Sequence, residues 1–225
     1  MQLDPQDLDS TAVYKLLISS VVPRPIAWVS SLDAAGVPNL APFSYFMAIT
    51  DSPPTIAFSC SPRAGGKKDT LRNVEAAGEF VVNIVDDDRA EAMNLSSGEY
   101  APEVDEFALA KLTAAPAIKV KAPRVVEAPI SMECKLVRVL PVGKANLIIG
   151  EVVQWHVRDN GIGIDPRYHA KVLEPFQRLK EVDVEGSGVG LAIVKKIVDA
   201  AGGQIRIESA LGEGSTFFFT WPQGA

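Results

Sequence analysis

The stretch from residue 24 to residue 70 constrains the fold most, because turn signals divide it into short extended segments. The first segment, Ile26 to Leu32, is rich in β-forming residues and ends at the turn sequence DAAG. Val37 to Met47 follows, and a pair of prolines stops it before Thr55 to Ser59 resumes an extended run. The sequence therefore predicts a meander of three short strands, an arrangement common in β-barrels.

Hydroxyl side chains lie at the ends of these predicted strands and beside prolines, where backbone amides stay free to bind a ligand. They are Ser30, Ser31, Ser44, Ser59 and Ser61. The pattern indicates a ligand site within the meander.

The segment that follows the meander predicts a helix with a basic beginning. Asp69 is a good N-cap for a helix from Thr70 to Ala77, and Gly78 is a good residue to end it. Two lysines, free amides and a threonine hydroxyl at a helix N-terminus favour a bound phosphate. The alternative is that the two lysines belong to a solvated loop and bind nothing.

Composition limits the class of protein and its partners. The chain has 225 residues, of which 47% are hydrophobic and 22% charged, so we expect an ordinary globular protein with one large or two small domains. The net charge of -6 argues against nucleic-acid and anionic-membrane partners. The amino terminus has no basic start or apolar run, and no later segment approaches a membrane span, so we expect a cytoplasmic protein.

Two cysteines and a run of three aspartates are the remaining candidates for redox or metal chemistry. Cys134 alternates with Met132 and Leu136 on one strand face, which predicts a buried thiol. Cys60 follows a strand near the candidate ligand site and is either structural or redox-active. The aspartates at 86–88 are either a metal site or, as we expect, a solvated turn or helix start. We predict no disulfide framework and no metal site.

The remaining segments up to residue 157 predict pieces that surround and close the barrel. Leu8 to Val22 predicts a short helix lying on the barrel, and Phe80 to Val85 a strand. The proline-rich segment Ala114 to Pro129 is expected to be edge or connecting structure. Ile130 to Pro141 and Asn146 to Val157 alternate well enough to form two antiparallel strands that complete the barrel.

Five separated segments together resemble the flavin reductase-like family of FMN-binding split barrels. They are PRPIAWVS (23–30), PNLAPFSYF (38–46), KDTLRN (68–73), EFVVNI (79–84) and VDEF (104–107). The resemblance runs from about Leu8 to Gln154 and implies a β-rich α+β fold, FMN as cofactor, and NADH or NADPH as electron donor. It further implies free flavin or a partner oxygenase as electron acceptor, and we expect a homodimer. No catalytic acid or nucleophile is required, because the flavin carries the chemistry.

The resemblance also implies which residues contact the flavin. Backbone and hydroxyl contacts are expected from Val29, Ser30, Ser31, Ala41, Pro42, Ser44 and Ser59. Contacts to the phosphate end are expected from Lys68, Asp69 and Thr70. Asp69 has the alternative role of capping the helix. The aromatic residues Trp28, Phe43 and Tyr45 either border the flavin ring or belong to the core.

Beyond residue 157 four further segments resemble the glycine boxes and the phenylalanine box of the sensor histidine kinase ATPase domain. They are VRDNGIGID (157–165), EPFQRL (174–179), GSGVGLAIV (186–194) and GEGSTF (212–217). The resemblance implies nucleotide contacts from Asp159, Gly161, Gly163, Gly188, Gly190 and Thr216. A helix from Val189 to Ala200 is expected to face a core with Leu191, Val194, Ile197 and Val198.

The kinase resemblance is partial, and the parts that are missing are those needed for ATP binding and phosphoryl transfer. Barrel sequence stands where that family has a helix with a magnesium-binding asparagine, and neither His156 nor His169 lies in a phosphoacceptor context. We therefore predict weak or absent ATP binding and no autokinase activity. The division is expected at 1–156, the split barrel, and 157–225, a truncated partial α/β sandwich, with Glu151 to Val157 as one strand shared by both. A nucleotide-binding module and a non-catalytic flavin sensor are the alternative functions.

Overall fold

A computed structural model describes residues 2–63, 66–159, 163–175, 190–211 and 214–220. Its helices are α1 (Ser10–Ser20), α2 (Asp69–Ala77), α3 (Ala90–Leu95), α4 (Glu106–Leu109) and α5 (Gly190–Ala200). Its strands are β1 (Ala27–Leu32), β2 (Pro38–Phe43), β3 (Phe46–Asp51), β4 (Pro54–Cys60), β5 (Glu79–Asn83), β6 (Ala114–Ala115), β7 (Arg124–Val125), β8 (Ile130–Val142), β9 (Ala145–Asp159), β10 (Gln204–Ala210) and β11 (Gly214–Thr220).

Nine of these strands form one antiparallel sheet in the order β10-β11-β9-β8-β5-β1-β2, with β4 joined to β9 and β3 joined to β4. The short strands β6 and β7 pair separately within the proline-rich connection. Helices α2 and α4 pack on the β1–β2 side of the sheet, and α5 packs on β10. The predicted β-rich α+β class is confirmed.

Strand β9 joins the two parts of the chain. One edge of β9 pairs with β8 along nearly its whole length. Its other edge pairs first with β4, through residues 146–151, and then with β11, through residues 154–159. The prediction that one strand ends the barrel and begins the carboxy-terminal segment is therefore confirmed. The carboxy-terminal hairpin extends the barrel sheet and does not form a separate one.

The predicted three-stranded meander has four strands, because the segment from Val37 to Met47 breaks after Phe43. Strand β2 pairs with β1, whereas β3 pairs with β4. The chain must change partners between them, and it does so at Ser44 and Tyr45. The backbone amide of Ser59 donates a hydrogen bond of 2.8 Å to the Tyr45 carbonyl oxygen, which fixes this break against β4.

The barrel core is centred on three aromatic rings in contact, with Phe58 tilted against Phe43 and edge-on to Phe80. The Phe58 ring lies 4.9 Å from the Phe43 centroid and 5.5 Å from the Phe80 centroid. Phe58 and Phe80 have no exposed surface. Aliphatic side chains from β1, β4, α2, β8 and β9 surround the rings, among them Val29, Ile56, Leu71, Val74, Ile148 and Val152.

Helix α1 forms where the sequence predicts a helix, and the Asp9 side chain caps it by accepting bonds from the amides of Thr11 and Ala12. None of its residues is buried. Tyr14 and Leu17 are 55% and 52% exposed. A helix packed on a barrel buries one face, so the prediction that this segment lies on the barrel is wrong.

Helix α5 confirms the helix predicted from Val189 to Ala200, but only part of its predicted core face is covered. Val198 is 4% exposed, whereas Ile197 is 53% exposed. Ile197 instead borders an apolar groove of about 820 Å³ that lies in the fork where β9 leaves β4 and joins β11. The groove contains none of the predicted site residues. Among the described helices, none is long and apolar enough to cross a membrane.

Candidate functional site

The beginning of α2 is the centre of the candidate site. Lys68 is the N-cap residue, with extended backbone angles and no side-chain capping bond. Gly78 ends the helix in the left-handed conformation, as predicted, and its amide bonds the Val74 carbonyl. Asp69 is the first helical residue, so the alternative that it caps the helix is wrong. Amides of a first helical turn have no partner within the helix, and Lys68, Asp69 and Thr70 at this turn line a cavity beside α2.

Five of the ten residues predicted to bind the flavin line this cavity. They are Ala41, Pro42, Lys68, Asp69 and Thr70. The other lining residues are Asn39, Arg63, Glu106 and the loop from Ser96 to Tyr100. Strand β2, the β4–α2 connection, helix α4 and the loop after α3 therefore converge on one point.

Of the lining residues that the sequence reasoning missed, Arg63 is the cation. Its guanidinium Nη1 lies 3.0 Å from Asp69 Oδ2 and donates to the Tyr100 carbonyl oxygen at 3.4 Å. Arg63 follows a serine and a proline after β4. Its position in the same loop as Lys67 and Lys68 could have identified it. A helix N-terminus binds anions, and basic residues in the loop before the helix can contact the same anion.

The two adjacent lysines have different roles. Lys67 is exposed, and its Nζ lies 2.6 Å from Glu75 Oε2 on the outer side of α2. Lys68 is half-buried, lines the cavity, and has its Nζ 5.6 Å from the Phe43 ring centroid. The solvated-loop interpretation therefore fits Lys67, whereas Lys68 belongs to the cavity.

A buried hydrogen-bond network supports the floor of the cavity. The Thr70 hydroxyl donates to Asn39 Oδ1 at 2.8 Å, and Asn39 Nδ2 donates to Glu106 Oε1 at 2.8 Å. The Leu40 amide donates to the other Glu106 oxygen at 3.1 Å. Burial raises the pKa of Glu106 above its usual value, and the bonds from Leu40 and Asn39 offset this only in part. Because the Thr70 hydroxyl already donates its proton to Asn39, the hydrogen-bond donor that Thr70 can present to a ligand is its backbone amide.

Three of the predicted contact residues have no solvent-exposed surface. Val29, Ser30 and Ser31 are fully buried in the central strand β1. Ser30 Oγ donates to the Pro123 carbonyl and accepts from Asn83 Nδ2 at 3.2 Å. Ser31 Oγ accepts from Asn73 Nδ2 at 3.2 Å. The two serine hydroxyls therefore bond segments far along the chain, and the backbone and hydroxyl contacts expected from Val29, Ser30 and Ser31 stay a prediction.

Ser44 and Ser59 are half-buried and lie beside the break between β2 and β3, outside the lining of the α2 cavity. Trp28 and Phe43 are core residues. Trp28 Nε1 donates to Ser96 Oγ at 2.8 Å and so anchors the loop that covers the cavity. Tyr45 is 40% exposed at the same break.

Both cysteines are buried and free. Burial raises the pKa of Cys60 to about 11, although Lys68 acts in the opposite direction. Burial also raises the pKa of Cys134 well above its usual range. Both residues therefore remain thiols near neutral pH, and the redox-active alternative for Cys60 is not supported, because the thiolate is the reactive form.

The described part of the kinase-like segment brings several predicted nucleotide residues to one region. Asp159 ends β9 opposite Ser215, and Thr216 pairs with Arg158. Gly163 has φ +75°, and a Cβ there would overlap the Ala210 carbonyl oxygen. Gly190 begins α5. Gly161 and Gly188, like most of the GSGVG segment, lie outside the described residues. No group of three or more metal-ligating side chains occurs among the residues that are described.

Comparison with known proteins places this geometry in a family. Residues 19–171 match the flavin reductase like domain. The chain belongs to the flavin reductase-like family. It is 39% identical over 180 residues to an uncharacterized protein of Aquifex aeolicus, covering 80% of this chain and 92% of that one. It is also similar to the crystal structure of nitrilotriacetate monooxygenase component B from Bacillus cereus, with 40% identity and a TM-score of 0.68, covering 70% of this chain and 81% of that one.

The second resemblance is confirmed by an overlapping match. Residues 122–225 match the histidine kinase-, DNA gyrase B-, and HSP90-like ATPase. A segment of 71 residues is 55% identical to cyanobacterial phytochrome A of Nostoc sp., covering 31% of this chain and 9% of that protein. The two family matches share residues 122–171, and β9 lies within this overlap. The flavin reductase-like chain therefore carries a kinase-like segment on its last barrel strand.

Proposed function

We propose that this flavin reductase-like chain is an FMN-binding NAD(P)H:flavin oxidoreductase whose α2 cavity binds the FMN phosphate. The supporting observation is the convergence of Arg63, Lys68 and the first turn of α2 on one small cavity. Two cations and unpaired helix amides suit a phosphate dianion, since charge-assisted bonds are the stronger kind. The Thr70 amide adds a donor at the proposed phosphate end, and Asp69 lies beside it as the residue that holds Arg63.

The flavin ring is proposed to lie from Ala41 and Pro42 toward Ser44, Ser59 and Tyr45 at the β2–β3 break. Bound FMN would supply hydride and one-electron transfer. The role of the chain is to hold the phosphate, orient the ring and shield one face of it from water. Val29, Ser30 and Ser31 act behind this surface by fixing β1 against β2 and β5.

NADH or NADPH is the proposed electron donor, and free flavin or a partner oxygenase the acceptor. The similarity to a protein named as component B of a monooxygenase supports an oxygenase partner. A homodimer is proposed because α1 exposes Tyr14, Leu16 and Leu17 on a helix that has no fully buried residue. Isolated helices of this length are marginal in water, so a second copy would stabilise α1.

The chain is proposed to divide into a split barrel, residues 1–156, and a truncated kinase-like segment, residues 157–225. The segment preceding Asp159 is β9, a strand of the barrel sheet, where a kinase ATPase domain has its magnesium-binding helix. Without that ligand the triphosphate charge is not balanced, so we expect weak or no ATP binding. Calorimetry should detect no appreciable Mg-ATP affinity; clear binding would favour the nucleotide-module alternative.

Replacing Lys68 with Met is expected to weaken FMN binding about tenfold to a hundredfold, because a charge-assisted bond to the phosphate is lost. Riboflavin, which lacks the phosphate, should bind wild type and variant equally. Quenching of flavin fluorescence measures both affinities, and Lys67→Met is the matched control. The purified protein should be yellow and should oxidise NADH or NADPH. A colourless preparation that rejects added FMN would rule the function out.

A further inference from the structure

Asp69 places a negative charge inside the proposed phosphate site. Its carboxylate lies 3.0 Å from Arg63 Nη1 on one side and contacts Arg72 Nη2 on the other. The Asp69 side chain is 17% exposed, and that of Arg63 is 21% exposed. These ion pairs are therefore only partly screened by water.

The two arginines are held differently. Arg72 also donates to the Lys67 carbonyl at 2.8 Å and does not line the cavity. Arg63 lines the cavity and is oriented there by Asp69 and by the Tyr100 carbonyl. A phosphate that binds in this cavity must share Arg63 with the Asp69 carboxylate, and it meets the repulsion of that carboxylate at close range.

We propose that Asp69 limits the affinity of this site for the phosphate group of its ligand by partly neutralising Arg63 while holding it in place. The inference rests on the proposed function, since it concerns the same phosphate site. Asp69 is a positioning and specificity-determining residue here. Its carboxylate offsets the charge that would otherwise retain a phosphorylated flavin, so the ligand exchanges more readily.

Asp69→Asn is the variant that separates charge from position, because an amide oxygen still accepts a bond from Arg63. Removing one like charge a few ångströms from the phosphate is expected to tighten FMN binding roughly threefold to tenfold. Riboflavin affinity should not change, because riboflavin has no phosphate. The gain for FMN should shrink at high salt.

Glu75→Gln is the matched control, since it removes the same charge from α2 where Glu75 pairs with Lys67 outside the cavity. It should leave both affinities unchanged. Arg72→Gln provides a second test that does not depend on the folding of the Asp69 variant. Without Arg72, the Asp69 carboxylate turns wholly to Arg63, so FMN binding should weaken while riboflavin binding stays constant.

Fluorescence titration of the full-length chain with FMN and riboflavin distinguishes the outcomes. If the Asp69 variant binds FMN no better than wild type, or gains equally for riboflavin, the inference is wrong while the proposed function stands. If the Asp69 variant does not fold, unchanged FMN affinity in the Arg72 variant overturns the inference. If the wild-type protein itself binds no FMN, the proposed function fails first and this inference fails with it.

Discussion

Replacing Glu133 with Gln should lower the free energy of unfolding by about 3–5 kcal/mol, because each buried N–H donor left without an acceptor costs roughly 1–3 kcal/mol. Glu133 has no exposed surface. Its carboxylate accepts bonds from the amides of Ile118, Lys119 and Val120 at 2.8, 2.5 and 3.0 Å, and it lies 2.5 Å from His156 Nε2. A glutamine would turn two N–H donors toward groups that themselves donate.

Urea unfolding at pH 7 measures this loss, with the exposed Glu103→Gln as a control that should change stability by less than about 0.5 kcal/mol. Burial raises the pKa of Glu133, but the bonds from His156, Ile118 and Lys119 outweigh burial and leave it below the usual value. The stabilisation is therefore fully present above pH 4.5, the ordinary glutamate value, and is lost as the pH falls through the lowered pKa. A variant as stable as wild type at pH 7 would contradict this account.

Phe58→Ala is expected to cost about 3–5 kcal/mol of stability, as for other buried aromatic side chains reduced to alanine. Phe58 lies between Phe43 and Phe80, tilted against the first ring and edge-on to the second, and has no exposed surface. The substitution should also disturb the candidate site, because the Phe43 ring that contacts Phe58 lies below the Lys68 ammonium group. FMN affinity should therefore fall in the variant even where it remains folded.

Phe58→Leu is the matched control, because it keeps an apolar side chain of similar reach. The loss of stability in Phe58→Leu should be well below that in the alanine variant. The FMN affinity of Phe58→Leu should stay close to that of wild type. Thermal unfolding followed by circular dichroism measures stability, and flavin titration below the transition measures binding. Equal losses in the two variants would contradict this prediction, because they would show that an apolar side chain of similar reach does not replace the Phe58 ring.

The strands of the barrel could be predicted from the sequence because their signals are local. Alternation over Ile130 to Pro141 and over Asn146 to Val157 identifies β8 and β9, since one face of each meets the core. The break at Ser44 could not be found in this way, because it depends on β2 and β3 pairing with different strands. Sequence periodicity identifies an apolar face but not the partner that covers it. For the same reason the sequence could not show that Ile197 on the apolar face of α5 is left exposed.

The candidate site was predictable in part for a related reason. Lys68 and Thr70 are recognisable because they lie at the start of a helix with clear end signals. Ser30 and Ser31 look like ligand contacts because their partners, Asn83 and Asn73, lie far along the chain. Asp69 looks like a helix cap because its pairing with Arg63 depends on how the β4–α2 connection folds back.

The joining of β11 to β9 has a consequence for how the protein behaves at high concentration. Within the described part of the chain, β10 becomes the outermost strand at that end of the sheet. Its outward residues Gln204, Arg206 and Glu208 are exposed, and charged side chains on a border strand discourage further strands from adding to it. The hairpin thus ends the sheet with a polar border that opposes fibre-like growth, and this border would be lost if the chain were cut after β9.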